Sequence, residues 1–135
     1  MTDANSDDKV KHLEFLNLTV TRLANNSFLI RGWAITLVGA LAGVSISSER
    51  PALSLISFIP TLGFWLLDFF YLHQERLFRQ LYADVARNSP EIPSFSMDVS
   101  PYRHQVPRRK VLLSPTLCLF YLPLSLVSLA VLILS

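Results

Sequence analysis

The chain has 135 residues, of which 51% are hydrophobic and only 16% are charged, with a formal net charge of +2. The length predicts one domain, and the charged fraction lies below the roughly 25% that is usual for soluble domains. A net charge this small does not indicate nucleic-acid binding, and the single cysteine excludes a disulfide framework or a cysteine-based zinc site.

Three apolar stretches are long enough to cross a membrane, because a transmembrane helix needs about 20 mostly apolar residues. They cover about 28–48, 52–72 and 111–135. The polar residues 1–8 are predicted to be disordered, and they lack the basic and apolar segments of a cleaved signal peptide. We therefore predict an all-α membrane protein with three transmembrane helices.

The first two spans are predicted to continue beyond the membrane. Apolar residues recur in steps of three and four from Val10 to Leu23, and the same pattern returns from Leu77 to Val85. Pro90 then ends the second pattern. The sequence predicts a long antiparallel hairpin over 9–88, which turns near Glu49 and extends into the cytoplasm.

Polar residues of the two hairpin helices fall at matching heights. Arg31 lies level with Asp68, and Arg22 lies level with Glu75, so we expect two ion pairs with charged atoms within about 4 Å. The pairs are expected either within a subunit or across a subunit contact. The matching residues predict either stabilising interhelical pairs or a polar belt along a vestibule for ions or a ligand. They are Arg22, Asn25, Asn26, Arg31, Asp68, His73, Gln74 and Glu75.

The first span contains Gly39 and Gly43, separated by three residues. This spacing lets membrane helices approach closely, but it also arises by chance in apolar stretches. The two glycines are therefore a candidate helix-packing site.

Prolines interrupt the segment 89–110, which predicts a cytoplasmic loop of about 20 residues. The loop is basic where it returns to the membrane. Such a cluster either anchors the chain to anionic lipid or captures a phosphate-bearing ligand such as a nucleotide signal. The candidate residues are Arg103, His104, Arg108, Arg109 and Lys110.

The basic residues also predict the orientation. Lys and Arg are concentrated before the first span and between the second and third, and none follows the third span. The positive-inside rule therefore predicts a multi-pass protein of the cytoplasmic-membrane type, with the N-terminus inside and the C-terminus outside.

The sequence contains none of the usual catalytic or nucleotide-binding motifs. His12, His73 and His104 have no metal-ligand spacing, and no phosphate-binding glycine loop occurs. We therefore predict a protein that is not an enzyme and has no cofactor or metal.

Three segments carry a family resemblance: Asn25–Trp33, Phe64–Asp68 and Gln74–Arg79. They resemble small SLATT-like membrane proteins, the predicted pore-forming effectors of nucleotide-signalled bacterial antiphage systems. The resemblance covers Val10 to Arg87 and implies a homo-oligomeric effector that a nucleotidyltransferase or nuclease of the same operon controls. The third span departs from the plain two-span pattern.

The hypotheses differ in what the membrane helices do. The first is a homo-oligomer, expected to be a tetramer, that forms a channel or disrupts the membrane, with the first or second helix at its axis and the third facing lipid. The second is a membrane adaptor that anchors or regulates a soluble partner protein. The third is a transporter subunit with Asp68 as a coupling carboxylate.

Overall fold

The computed structural model describes residues 2–134, and every regular element within that range is a helix. The helices are α1 (Thr2–Ser47), α2 (Ala52–Ile56), α3 (Phe58–Ala86), a short 3-10 helix (Ser100–Tyr102), α4 (Arg108–Leu112) and α5 (Pro115–Leu134). Met1 belongs to the predicted disordered segment and Ser135 to the predicted third span, and both residues lie outside the described range.

Three helical segments are long and apolar enough to cross a membrane, namely Asp3–Ser47, Ala52–Ala86 and Pro115–Leu134. The prediction of an all-α chain with three such helices is confirmed.

The start of α1 differs from the prediction, because the helix includes residues that were expected to be disordered. No glycine or proline interrupts this segment, and Asp3 lies in the first turn, where the helix dipole favours a negative charge. The hydroxyl of Ser6 also donates to the carbonyl of Asp3 at 2.7 Å. The polar N-terminal residues therefore extend the helix.

The second apolar segment is divided at Ser57 into α2 and α3. Pro60 explains the break, because proline has no N–H to offer the carbonyl of Ile56 one turn earlier. The third segment is divided in the same way at Leu113–Ser114, since Pro115 disfavours helical geometry in the residue before it. The predicted span over 111–135 is thus a short basic helix followed by α5.

Helices α1 and α3 contact each other along the first two thirds of α1. Lys9 donates to the carbonyl of Ala86 at 3.1 Å, and Arg31 pairs with Asp68 at 2.7 Å. These two contacts join the start of α1 to the end of α3, and the middle of α1 to the first half of α3.

The buried core is built from α1, α3, the loop after α3, α4 and α5. Leu16 is fully buried on α1, Leu77 and Leu81 are nearly so on α3, and Val111 and Leu117 complete the core from α4 and α5. Outside this core, large apolar side chains are exposed along the apolar segments.

The loop after α3 folds back onto the helices rather than extending from them. The ring of His12 lies 2.8 Å from the carbonyl of Ser96, and the ring of Phe95 packs beside it at a centroid distance of 5.8 Å. Further along, Tyr102 donates to Asp84 at 2.8 Å. The predicted loop is therefore held to both α1 and α3.

Candidate functional site: a buried polar cluster and a basic groove

A buried carboxylate joins the three apolar segments. Asp68 on α3 has no exposed surface and accepts from Arg31 Nε at 2.7 Å. The hydroxyl of Ser27 on α1 donates to its Oδ1, and the hydroxyl of Tyr121 on α5 lies 3.2 Å from its Oδ2. We call these four residues the Asp68 cluster.

The Asp68 cluster provides partners for a charge whose burial is energetically unfavourable. A carboxylate removed from water needs an opposite charge and further hydrogen bonds, and here Arg31, Ser27 and Tyr121 provide them. The Arg31 guanidinium also lies over the ring of Phe120, 5.8 Å from its centroid. The arrangement favours a structural clamp between α1, α3 and α5 over a coupling carboxylate that exchanges partners.

The second predicted ion pair is not formed within the chain. Arg22 is exposed, and Glu75 instead pairs with Arg79 at 2.7 Å. Residues four apart on a helix already face each other, so Glu75 has a local partner that needs no second helix. The prediction that Arg22 meets Glu75 is wrong for a contact within one chain.

The remaining residues of the predicted belt do not form a continuous polar surface. His73 is buried, with Nε2 donating to the carbonyl of Val106 at 3.1 Å, so it holds the loop. Asn25 is exposed, while Asn26 and Gln74 are half-buried. The belt is therefore separated into the Asp68 cluster, a loop contact and an exposed part of α1.

A second group of interhelical hydrogen bonds consists of serines. Ser57 donates to Ser128 Oγ at 2.7 Å, and Ser54 donates to the carbonyl of Ser128. The sequence offered no signal for these contacts, because serines are ordinary in apolar helices and their partner lies on α5.

Gly39 and Gly43 contact no neighbouring helix within the described part of the chain. A Cβ atom built on either glycine would meet nothing within 4 Å. The predicted close helix contact at these glycines is therefore not made inside one chain, and this face of α1 is open.

The five predicted basic residues are all exposed, but they do not share one site. Lys110 lines a groove of about 250 Å³ between α3 and α4, together with Arg76 and Arg79. Gln80 and Gln105 also line this basic groove. Arg76 and Arg79 were not predicted for this role, although their spacing of three residues places them on one helix face.

No group of three or more metal-ligating side chains occurs among residues 2–134. The chain matches no protein-family model, no curated protein and no solved structure.

Proposed function

We propose that the chain is a multi-pass protein of the bacterial inner membrane that acts as a homo-oligomeric effector, forming a channel or disrupting the membrane. In this proposal α1 and α3 form an antiparallel hairpin that extends into the cytoplasm, with the N-terminus inside. The apolar helices and the distribution of basic residues support the insertion and orientation.

The observation that carries the oligomer is an open face of α1. Gly32, Thr36, Gly39, Gly43 and Ser47 recur in steps of three and four and are all exposed. They lie on the side of the helix opposite the buried residues, given about 3.6 residues per turn. Small residues at this spacing allow close approach of a second membrane helix.

The same face of α1 becomes polar toward the cytoplasm. Asn25 has the helical phase of Gly43, and Arg22, which lies about 60° from Asn25 around the helix axis, is also exposed. A ring of subunits that met through α1 would bring these polar residues around one axis, whereas the Asp68 cluster is already closed within each subunit. A channel would therefore be lined by α1, and closed rotational symmetry with four subunits is our proposed arrangement.

The link to antiphage defence rests on the resemblance to SLATT-like effectors. In that setting a nucleotide signal or a soluble partner of the same operon would control the assembly. The exposed basic residues of the loop and α4 are the candidate receiving surface.

The test is to enlarge the open face of α1 without altering the fold. Gly39→Leu with Gly43→Leu should abolish the crosslinked oligomer in cell membranes and the loss of membrane potential on expression. Gly63→Leu is the matched control, because Gly63 is also exposed in an apolar segment with open space at its Cβ position. Oligomers and potential changes that persist in the double variant would reject assembly through this face.

A membrane adaptor is the second candidate. The observation that favours it is a polar groove at the start of α1. A groove of about 490 Å³ lies between the start of α1 and the loop after α3, lined by polar residues such as Asn5, Lys9 and Asn88. This groove could hold a peptide of a soluble partner. A stable monomer that leaves the membrane potential unchanged and co-purifies with an operon partner would favour the adaptor.

A further inference from the structure

Two grooves of opposite chemistry lie along the side of α3 that faces α4 and α5. The basic groove contains Arg76, Arg79 and Lys110 at the end of the apolar segment. The second, which we call the apolar groove, has a volume of about 490 Å³ and includes Trp65 and Cys118. Its remaining lining residues are Phe58, Thr61, Leu62, Leu113, Tyr121, Leu122 and Ser125.

The two grooves share one face of α3. Phe58, Thr61 and Leu62 line the apolar groove, and Arg76, Arg79 and Gln80 line the basic groove. Each residue of the second set follows its counterpart by about 18 residues, or roughly five full helical turns. Both grooves therefore have the same phase on the helix.

The opposite wall connects the grooves in the same way. Lys110 lines the basic groove and Leu113 lines the apolar groove, and both side chains are exposed. Residues three apart lie on the same side of a helix turn. A single elongated molecule that passed along this side of α4 would meet a cation first and apolar side chains next.

The dimensions match the membrane. Arg76 and Trp65 are separated by about 16 Å along the axis at about 1.5 Å per residue. Half of a bilayer hydrocarbon core is about 15 Å thick. An acyl chain from a headgroup at Arg76 would therefore reach Trp65 at the near end of the apolar groove, whereas Phe58, Thr61 and Leu62 lie about 21 to 27 Å from Arg76 along α3.

The charge of the basic groove is not balanced within the chain. Glu75 pairs with Arg79 at 2.7 Å, whereas Arg76 and Lys110 form no ion pair with any residue in the described range 2–134. Two cations beside Gln80 and Gln105 provide an anion with both charge and hydrogen-bond donors.

We propose that an anionic phospholipid of the cytoplasmic leaflet binds along this side of α3, with its phosphate in the basic groove and an acyl chain in the apolar groove. Arg76 and Lys110 hold the phosphate, and Cys118 lies against the chain. The apolar groove favours a lipid over a free phosphate or nucleotide, which would leave that surface unused. The inference rests on the proposed membrane insertion.

The experiment is native mass spectrometry of the full chain, purified in detergent and delipidated. The probes are phosphatidylglycerol, phosphatidylcholine with the same acyl chains, and inorganic phosphate as competitor. Phosphatidylglycerol should bind as a discrete adduct more tightly than phosphatidylcholine. Arg76→Gln with Lys110→Gln should weaken it about 25-fold, from about fivefold for each cation near an anionic headgroup.

Matched variants distinguish a specific lipid site from general electrostatic attraction of lipid to a basic surface. Arg103→Gln with Arg108→Gln removes the same charge from exposed positions outside the groove and should change the affinity by less than about twofold. Cys118→Phe fills the apolar groove and should weaken binding, whereas Leu119→Phe, at a position 76% exposed, should not.

Several results would overturn the lipid site. Equal binding of the two lipids, equal loss in both charge variants, or displacement of lipid by inorganic phosphate at the same concentration would each do so, the last indicating a free-phosphate site. Recovery of the wild-type chain in the soluble fraction of cells would instead reject the membrane proposal itself, before any lipid is added.

Discussion

At the scale of single residues, Asp68 is the one acidic side chain that is buried in the part of the chain that the structure describes. Its side chain is fully buried, whereas the side chain of Arg31 keeps 24% of its surface exposed. The base therefore retains some contact with its surroundings while the acid depends on partners inside the chain. Asp68 therefore depends more on Arg31 than Arg31 depends on Asp68.

We expect Asp68→Asn to lower the free energy of unfolding by about 3 kcal/mol, because removing one partner leaves the other charge uncompensated. The measurement is unfolding of the detergent-solubilised protein by a denaturing detergent. Glu75→Gln, which breaks the pair of Glu75 with Arg79 within one helix, should cost less than about 0.5 kcal/mol.

The double variant Arg31→Gln with Asp68→Asn isolates the pair itself. Its loss should be smaller than the sum of the two single losses, since each single variant strands a charge and the double variant strands none. Additive losses would contradict a direct coupling between the two side chains.

The contribution of Tyr102 to the stability of the fold changes at high pH. Burial, followed by its hydrogen bond to Asp84, raises the pKa of Tyr102 to about 12. The ordinary pKa of tyrosine is about 10, so the folded state holds the phenol proton more tightly than the unfolded state. This contribution to stability is complete below pH about 10 and is lost as the pH rises through about 12.

Tyr102→Phe should lower the free energy of unfolding by about 1 kcal/mol near neutral pH, as expected for one lost hydrogen bond. It should also remove this part of the loss of stability between pH about 10 and 12. Thermal unfolding at several pH values measures both effects. Tyr82→Phe serves as the control, because Tyr82 is 38% exposed, and an equal change there would contradict a specific role for Tyr102.

The residues of the Asp68 cluster differ in how far the sequence could predict them. Antiparallel helices with a known turn place Arg31 level with Asp68, so this contact follows from counting residues. Tyr121 does not follow, because the loop of about 20 residues before α5 imposes no register on the third span. Glu75 was assigned to Arg22, although its local partner Arg79 stands four residues away in the sequence.

At the scale of elements, prolines divide the predicted spans. Pro60 and Pro115 could have indicated the breaks, since both lie inside apolar stretches that were treated as continuous. The break before α5 matters most for the candidate site. It leaves Arg108–Leu112 as a separate helix, which places Lys110 against α3.

The serines between α2, α3 and α5 give a prediction for how these elements are joined. Ser128→Ala removes the hydroxyl that accepts from Ser57, and we expect a loss of about 0.6 kcal/mol, the average for hydrogen bonds between membrane helices. Detergent unfolding measures the change. Ser125→Ala is the control, because Ser125 bonds only to the carbonyl of Tyr121 on its own helix.

At the scale of the whole molecule, the exposed surface is the clearest sign of its surroundings. Phe28, Leu119 and Ile133 are 75%, 76% and 73% exposed, and similar side chains continue along all three apolar segments. Soluble monomers rarely expose contiguous apolar patches of this extent. This surface is compatible with a multi-pass membrane protein, in which lipid or further copies of the chain would remove these side chains from water.

The orientation in the membrane is the last prediction. The loop and α4 carry Arg103, Arg108, Arg109 and Lys110, whereas nothing basic follows the third span. Because short basic loops stay in the cytoplasm, a reporter inserted near Ser96 should be active inside the cell and one fused after Ser135 active outside. Alkaline phosphatase, active only outside, and a fluorescent protein that matures only inside provide reciprocal readouts. The opposite pattern at both sites would contradict the orientation, and with it the assignment of the basic groove to the cytoplasmic leaflet.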